Sequence, residues 1–422
     1  MPAIGRPGRR RDYLRIFACA LAVWGVIALE QLRADSVSAA PPDTETRALL
    51  VERQSLSSPA SLEAAVTTAQ AVRFNTLLVD ARALGELYFN QGLEPRAAAL
   101  AAQPTAFDPL AVAIAFAHAR GMRVYARVSV SLVASAADVP PARGHPVNAH
   151  PERLMVPRAL ARDLTLLDAG SQLFLDRLLR WTRAQPVESA GLYSSPASDE
   201  AADALVSLVA DLAARYAVDG IHLEDVAYPA PEFDYSRAAL EAFKAEVLRD
   251  LDPEARRERE RAMGADLAAW PEAIPDRWAE FRRGRLTALV ARVRQVIKLR
   301  RPEAVVSAAV TPDARAAGLQ HFQDWPAWSK RRLLDAVCPA TDTLDAAAFA
   351  AQIRDARRAA GDTPVWVAID AFRLSASETV DRIRAARQLG ARGVIIGAYG
   401  SLISQPDGLD YLTRVAREAF EP

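Results

Sequence analysis

Tyr216-Ala217-Val218-Asp219-Gly220-Ile221-His222-Leu223-Glu224-Asp225 is the stretch that decides the fold. An Asp-Gly turn closes a helical run and opens a strand whose side chains alternate. Ile221 and Leu223 share one face, His222 and Glu224 the other. Apolar residues on one face and polar ones on the other, with an acid at the C-terminal end, fit a strand backed by helices whose opposite face looks into an interior.

Strand patterns recur at 47–52, 74–80, 123–129, 304–311, 335–341, 364–370 and 393–399, besides 220–225. Alanine-rich amphipathic stretches separate most of them, at 61–71, 109–120, 201–216, 278–299, 346–359 and 377–389. Gly121, Gly361 and Gly390 follow helical runs where a left-handed cap belongs. Eight such units predict an α/β fold, a (β/α)8 TIM barrel occupying 41–422 as one domain, with long loop insertions after strands 3 and 4. The first insertion, 131–200, is proline-rich and reads as an extended loop with small helices around 171–183. The second, 229–275, contains the charge run 254–261, which reads as a solvated helix face.

Composition agrees with a globular chain: 422 residues, 51% hydrophobic and 25% charged. Lys+Arg and Asp+Glu are both 52, so no basic field attracts phosphate backbones, and nucleic acid is not an expected partner. Cys19 and Cys338 are the only cysteines, which excludes a disulfide framework and thiolate zinc sites. Arg6, Arg9, Arg10, Arg11 and Arg15 precede the apolar run Ile16 to Leu29 and the small residues Ser36 to Ala40. Residues 1–40 therefore read as a secretory signal peptide or an N-terminal membrane anchor, so membrane attachment through the apolar segment stays open. The run is shorter than the roughly 18–20 residues that span a bilayer comfortably, which favours cleavage.

Alternation also sorts the candidate site. It turns Asp80, with Arg82 close behind, inward on the second strand, Tyr125, Arg127 and Ser129 on the third, His222 and Glu224 on the fourth, and Trp366 and Asp370 on the seventh. Barrels of this type place catalysis at the C-terminal rim. Carboxylates on opposite sides of a rim suit glycosidic hydrolysis, where one acid protonates the leaving oxygen and the other attacks the anomeric carbon or activates water. Glu224, Asp370 and Asp225 are the catalytic candidates. Asp370 competes with a role in capping the turn that follows. Asp80, Arg82, Arg127 and His222 are expected either to bind substrate or to form ion pairs and hydrogen bonds beneath the rim. Tyr228, Trp325, Trp328, Trp366 and Tyr399 are candidate stacking surfaces for pyranose rings, with Trp328 alternatively packing between helix and barrel. No metal-ligand spacing, phosphate loop, dinucleotide fingerprint or nucleophile elbow occurs, so neither metal nor cofactor is expected.

Phe74-Asn75-Thr76-Leu77-Leu78-Val79-Asp80-Ala81-Arg82, with Gly85 and Tyr88, and then Ala117 to Ala126, resemble the opening strands of the glycosyl-hydrolase-like family ten barrel proteins. Tyr216 to Asp225 with Tyr228-Pro229 is similar to that family's Tyr-x-Val-Asp-Gly-Ile-His-Phe-Asp-Asp followed by Tyr-Pro. Asp324-Trp325 and Trp328 match its Asp-Trp-x-x-Trp element. The resemblance covers roughly 45–410 and implies an exported barrel, periplasmic or extracellular, acting on a polysaccharide or glycan. Two positions depart from it. Glu224-Asp225 replaces the paired aspartates, reaching about 1.5 Å further, and Cys338-Pro339-Ala340-Thr341-Asp342 lacks the family's following Tyr. The alternative expectation is a catalytically inactive barrel that binds glycan or another cell-envelope component.

Overall fold

The computed structural model describes residues 45–185 and 191–420. The expected signal or anchor segment, 1–40, lies outside them. Eight parallel strands form the centre: β1 (Thr46–Val51), β2 (Thr76–Ala83), β3 (Arg123–Ser129), β4 (Gly220–Glu224), β5 (Val305–Val310), β6 (Ala336–Thr341), β7 (Trp366–Asp370) and β8 (Gly393–Gly397). Each pairs with its sequence neighbours, and β1 pairs with both β2 and β8, so the sheet closes into a (β/α)8 barrel. The outer helices are α1 (Pro59–Ala71), α2 (Pro109–His118), α3 (Asp199–Arg215), α4 (Pro275–Arg300), α5 (Trp325–Lys330), α6 (Ala346–Ala360), α7 (Ala376–Gln388) and α8 (Gly408–Ala419). Ser58, Asp108, Ser198, Asp345 and Ser375 cap α1, α2, α3, α6 and α7 through side-chain oxygens that accept first-turn N–H groups.

At the N-terminal end of the barrel three residues tie strands in pairs. Asn75, Asp219 and Asp335 each stand just before a strand and accept an N–H from the neighbouring one. The donors are Arg47 at 3.0 Å, Val124 at 2.8 Å and Val306 at 2.9 Å. Just inside, Tyr125 and Trp366 meet with ring centroids 5.7 Å apart and fill the lumen, together with Ala48, Leu78, Ala336, Cys338 and Ile395. Glycine makes room for them. A Cβ on Gly220 would lie 2.9 Å from the Tyr125 ring, and one on Gly393 2.8 Å from Trp366.

The helix expected around 171–183 and the solvated helix expected at 254–261 are both present, and the first insertion differs from the sequence expectation in the rest of its course. Segment 131–198 is not an extended loop, because it has a core of its own. Leu132–Ser135 pairs antiparallel with Gly191–Tyr193, and the helix Gln172–Ala184 packs Phe174 and Leu178 against Val133, Leu154 and Leu192. The second insertion places the helix Arg237–Arg249 on Trp270, Trp278 and Phe281. Its charge run forms the helix Pro253–Met263, which buries no residue.

Candidate active site

Glu224 ends β4 and lines a cleft of about 330 Å³ at the C-terminal mouth of the barrel. Arg127, one strand over on β3, donates from Nε to Glu224 Oε2 at 2.9 Å and from Nη1 to Asp80 Oδ1 at 2.6 Å. His222, one interior layer below, has Nε2 3.4 Å from Glu224 Oε2 and Nδ1 3.0 Å from Ser307 Oγ. Burial alone would raise the Glu224 carboxyl. The Arg127 charge and the His222 contact outweigh it and hold Glu224 well below the usual carboxylate range. Both contacts fall on Oε2, and among the described residues Oε1 has no hydrogen-bond partner. The result is an anchored anion with one oxygen unengaged.

Asp370 ends β7 and lines the same cleft. It precedes the short turn Ala371–Arg373 but makes no capping hydrogen bond, so the competing capping role is not the one its carboxylate takes. Burial raises its pKa, Arg373 lowers it, and Asp342 raises it; the net shift is upward. One carboxyl of the cleft is thus held low by its cationic neighbours and another is raised by burial.

Asp225 follows a different course. The chain enters the left-handed region there, with φ at 51°, and its side chain leaves the strand alternation. It accepts a 2.6 Å hydrogen bond from Ser129 Oγ. Burial and the Glu224 charge raise its pKa to about 6. It borders a second lobe of the cleft with Glu224, Thr311, Asp313 and Asp342.

Several other sequence candidates lie elsewhere. Register slips between Asp80 and Arg82 on β2. Arg82 consequently turns away from the mouth, pairs with Glu94 at 2.6 Å, donates to the Ser129 carbonyl, and lines a separate cavity of about 230 Å³. Tyr228 and Trp325 are fully buried in the layer between barrel and helices. Tyr228 packs edge-on to Phe322, and Trp325 donates from Nε1 to the Thr311 carbonyl at 3.1 Å. Tyr399 belongs to the same core. Trp366 lies at the start of β7, at the floor. These four aromatics are therefore not ring platforms at the mouth, because at each the packing has already enclosed the side chain. Asp80 stays beneath the rim, where its Oδ2 also accepts from the Arg53 N–H at 2.9 Å.

Sequence reading missed three rim residues. Asp342 borders both lobes of the cleft, and Phe372 lines it beside Asp370. Glu52 follows β1 and has a buried Oε2 without a partner among the described residues. Burial raises its carboxyl, backbone hydrogen bonds lower it, and Asp80 raises it, for a net upward shift. All three lie just past a strand end, where alternation stops being informative.

The model of the family described as glycosyl hydrolase-like 10 matches residues 49–373. The chain belongs to this family. No curated protein sequence matches it. Solved structures similar to this glycosyl hydrolase-like 10 chain include the PgaB (BpsB) glycoside hydrolase domain from Bordetella bronchiseptica. That likeness has 18% identity and a TM-score of 0.59 and covers 88% of this chain and 99% of the other. The catalytic domain of a beta-amylase from Paenibacillus polymyxa follows at 10% identity and TM-score 0.58, covering 91% and 100%. A beta-galactosidase from Bacillus circulans sp. alkalophilus has 12% identity and TM-score 0.58, over 90% of this chain and 56% of that one. At these identities the likeness is one of fold. Among the described residues of this glycosyl hydrolase-like 10 barrel, no cluster of three or more His, Cys, Asp and Glu could hold a metal ion. No described helix is long and apolar enough to cross a membrane.

Proposed function

We propose that the chain is a glycoside hydrolase that cleaves a polysaccharide or glycan outside the cytoplasm, with Glu224 and Asp370 as its working carboxylates. One observation carries the proposal: an ionised carboxylate with a free oxygen and a carboxyl biased towards protonation line one cleft at the barrel mouth. Asp370 donates its proton to the glycosidic oxygen as the bond breaks. Glu224, oriented by Arg127 and His222, attacks the anomeric carbon or takes a proton from the water that does. Asp225, held by Ser129 at the edge of the second lobe, is the third carboxylate of the proposed set. The basic and apolar pattern of residues 1–40 supports export, and the family supports carbohydrate as the substrate.

Purified protein screened against bacterial envelope glycans, beside Glu224→Gln and Asp370→Asn, tests the assignment. Each variant is expected to lose about 10²-fold or more in turnover while melting like the wild type. Glycan binding without cleavage by the wild type would instead establish the silent, glycan-binding barrel. Fusing residues 1–40 to a reporter that is active only outside the cytoplasm checks export.

A further inference from the structure

Among the described residues, Phe372 is the one exposed aromatic side chain, at 45% exposure; every other aromatic is buried or half-buried. An apolar ring left in water forgoes the stabilisation of burial. The turn that carries it is nevertheless tied down by three hydrogen bonds. The buried Ala371 accepts from Tyr411 Oη at 2.9 Å, the Phe372 carbonyl accepts from Gln405 Nε2 at 3.1 Å, and Arg373 Nη1 donates to the Asp342 carbonyl at 3.1 Å. A fixed turn thus presents the ring at the edge of the cleft, two residues beyond Asp370 and with Asp342 in the same lining.

We propose that Phe372 is the stacking platform for the sugar on the leaving-group side of the scissile bond, and that this subsite takes an uncharged pyranose. The inference rests on the glycosidase reading. An acid that protonates the glycosidic oxygen stands beside the departing sugar, so a ring on the turn that follows that acid lies against the same sugar. A pyranose offers an apolar C–H face to the aromatic ring and hydroxyls around its edge. Asp342, in the same lining, supplies an acceptor for those hydroxyls, and its charge disfavours a sugar carboxylate.

The test compares two substrate types: a panel of α- and β-1,4-linked hexose and N-acetylhexosamine tetrasaccharides, and the fluorides of the same sugars. A fluoride departs without placing a sugar in the leaving-group subsite. Phe372→Ala is expected to lower kcat/KM about tenfold more on the cleaved tetrasaccharide than on the matching fluoride. Phe372→Tyr and Phe372→Trp should restore most of the loss, and melting should stay near the wild-type value because the ring is exposed. Equal losses on both substrates, or none on the tetrasaccharide, overturn the platform and leave the glycosidase reading standing. A wild type that cleaves no member of the panel, fluoride or oligosaccharide, overturns both.

Discussion

At the residue scale, the carboxyls of the cleft are shifted in opposite directions, and the proposed roles follow from that. Asp370 is raised by burial and by Asp342, so the rate should fall on the alkaline side as it loses its proton. Asp370→Asn should abolish that limb of the kcat/KM profile. Glu224 is held low by Arg127, so its anionic form, and the stability its pairing contributes, persist until the pH drops below the usual carboxylate range. Asp225 has the opposite sign. Its folded pKa is raised to about 6. Its contribution is complete below the unfolded value of about 3.9 and is lost as pH rises through the folded one. Asp225→Asn, which also tolerates the left-handed backbone, should therefore stabilise the protein by about 1–3 kcal/mol at pH 8, with the gain disappearing near pH 4. Denaturant titrations at the two pH values measure both outcomes. Alternation governs side chains as far as the end of a strand, and Glu224 and Asp370, the last residues of β4 and β7, line the cleft. Phe372 and Asp342 escape that rule, since they sit on turns whose direction depends on tertiary hydrogen bonds such as Gln405 to the Phe372 carbonyl.

At the element scale, strand positions are legible because apolar alternation and helix caps agree. The β3 range, Arg123–Ser129, is the same in sequence and structure. The first insertion is less legible, as its short strands acquire meaning only by pairing across some sixty residues, Leu132 with Tyr193. The aromatics mislead for a related reason: a Trp in a strand or turn gives no local sign of whether it faces a mouth, a floor or a helix. Trp366 faces the floor, and the signal that could have placed it is its partner glycine across β8. Gly393→Ala would drive a Cβ to within 2.7 Å of the Thr46 carbonyl and 2.8 Å of Trp366. Overpacking of this kind costs about 1–3 kcal/mol. Urea unfolding should show that loss, and repacking with Trp366→Phe should recover part of it.

At the scale of the whole molecule, equal numbers of acidic and basic residues leave no net field to gather a charged polymer. Rates on a neutral glycan should then change little between low and high salt, which steady-state assays across a sodium chloride series check. The N-terminal tethers and the packed lumen also make the barrel a vessel open at one end. A long glycan cannot be reeled through such a molecule. On the proposed reading it would lie across the opening, and the severed pieces would back out by the way they came, so that disengagement of a tightly held product would set the pace of each cycle.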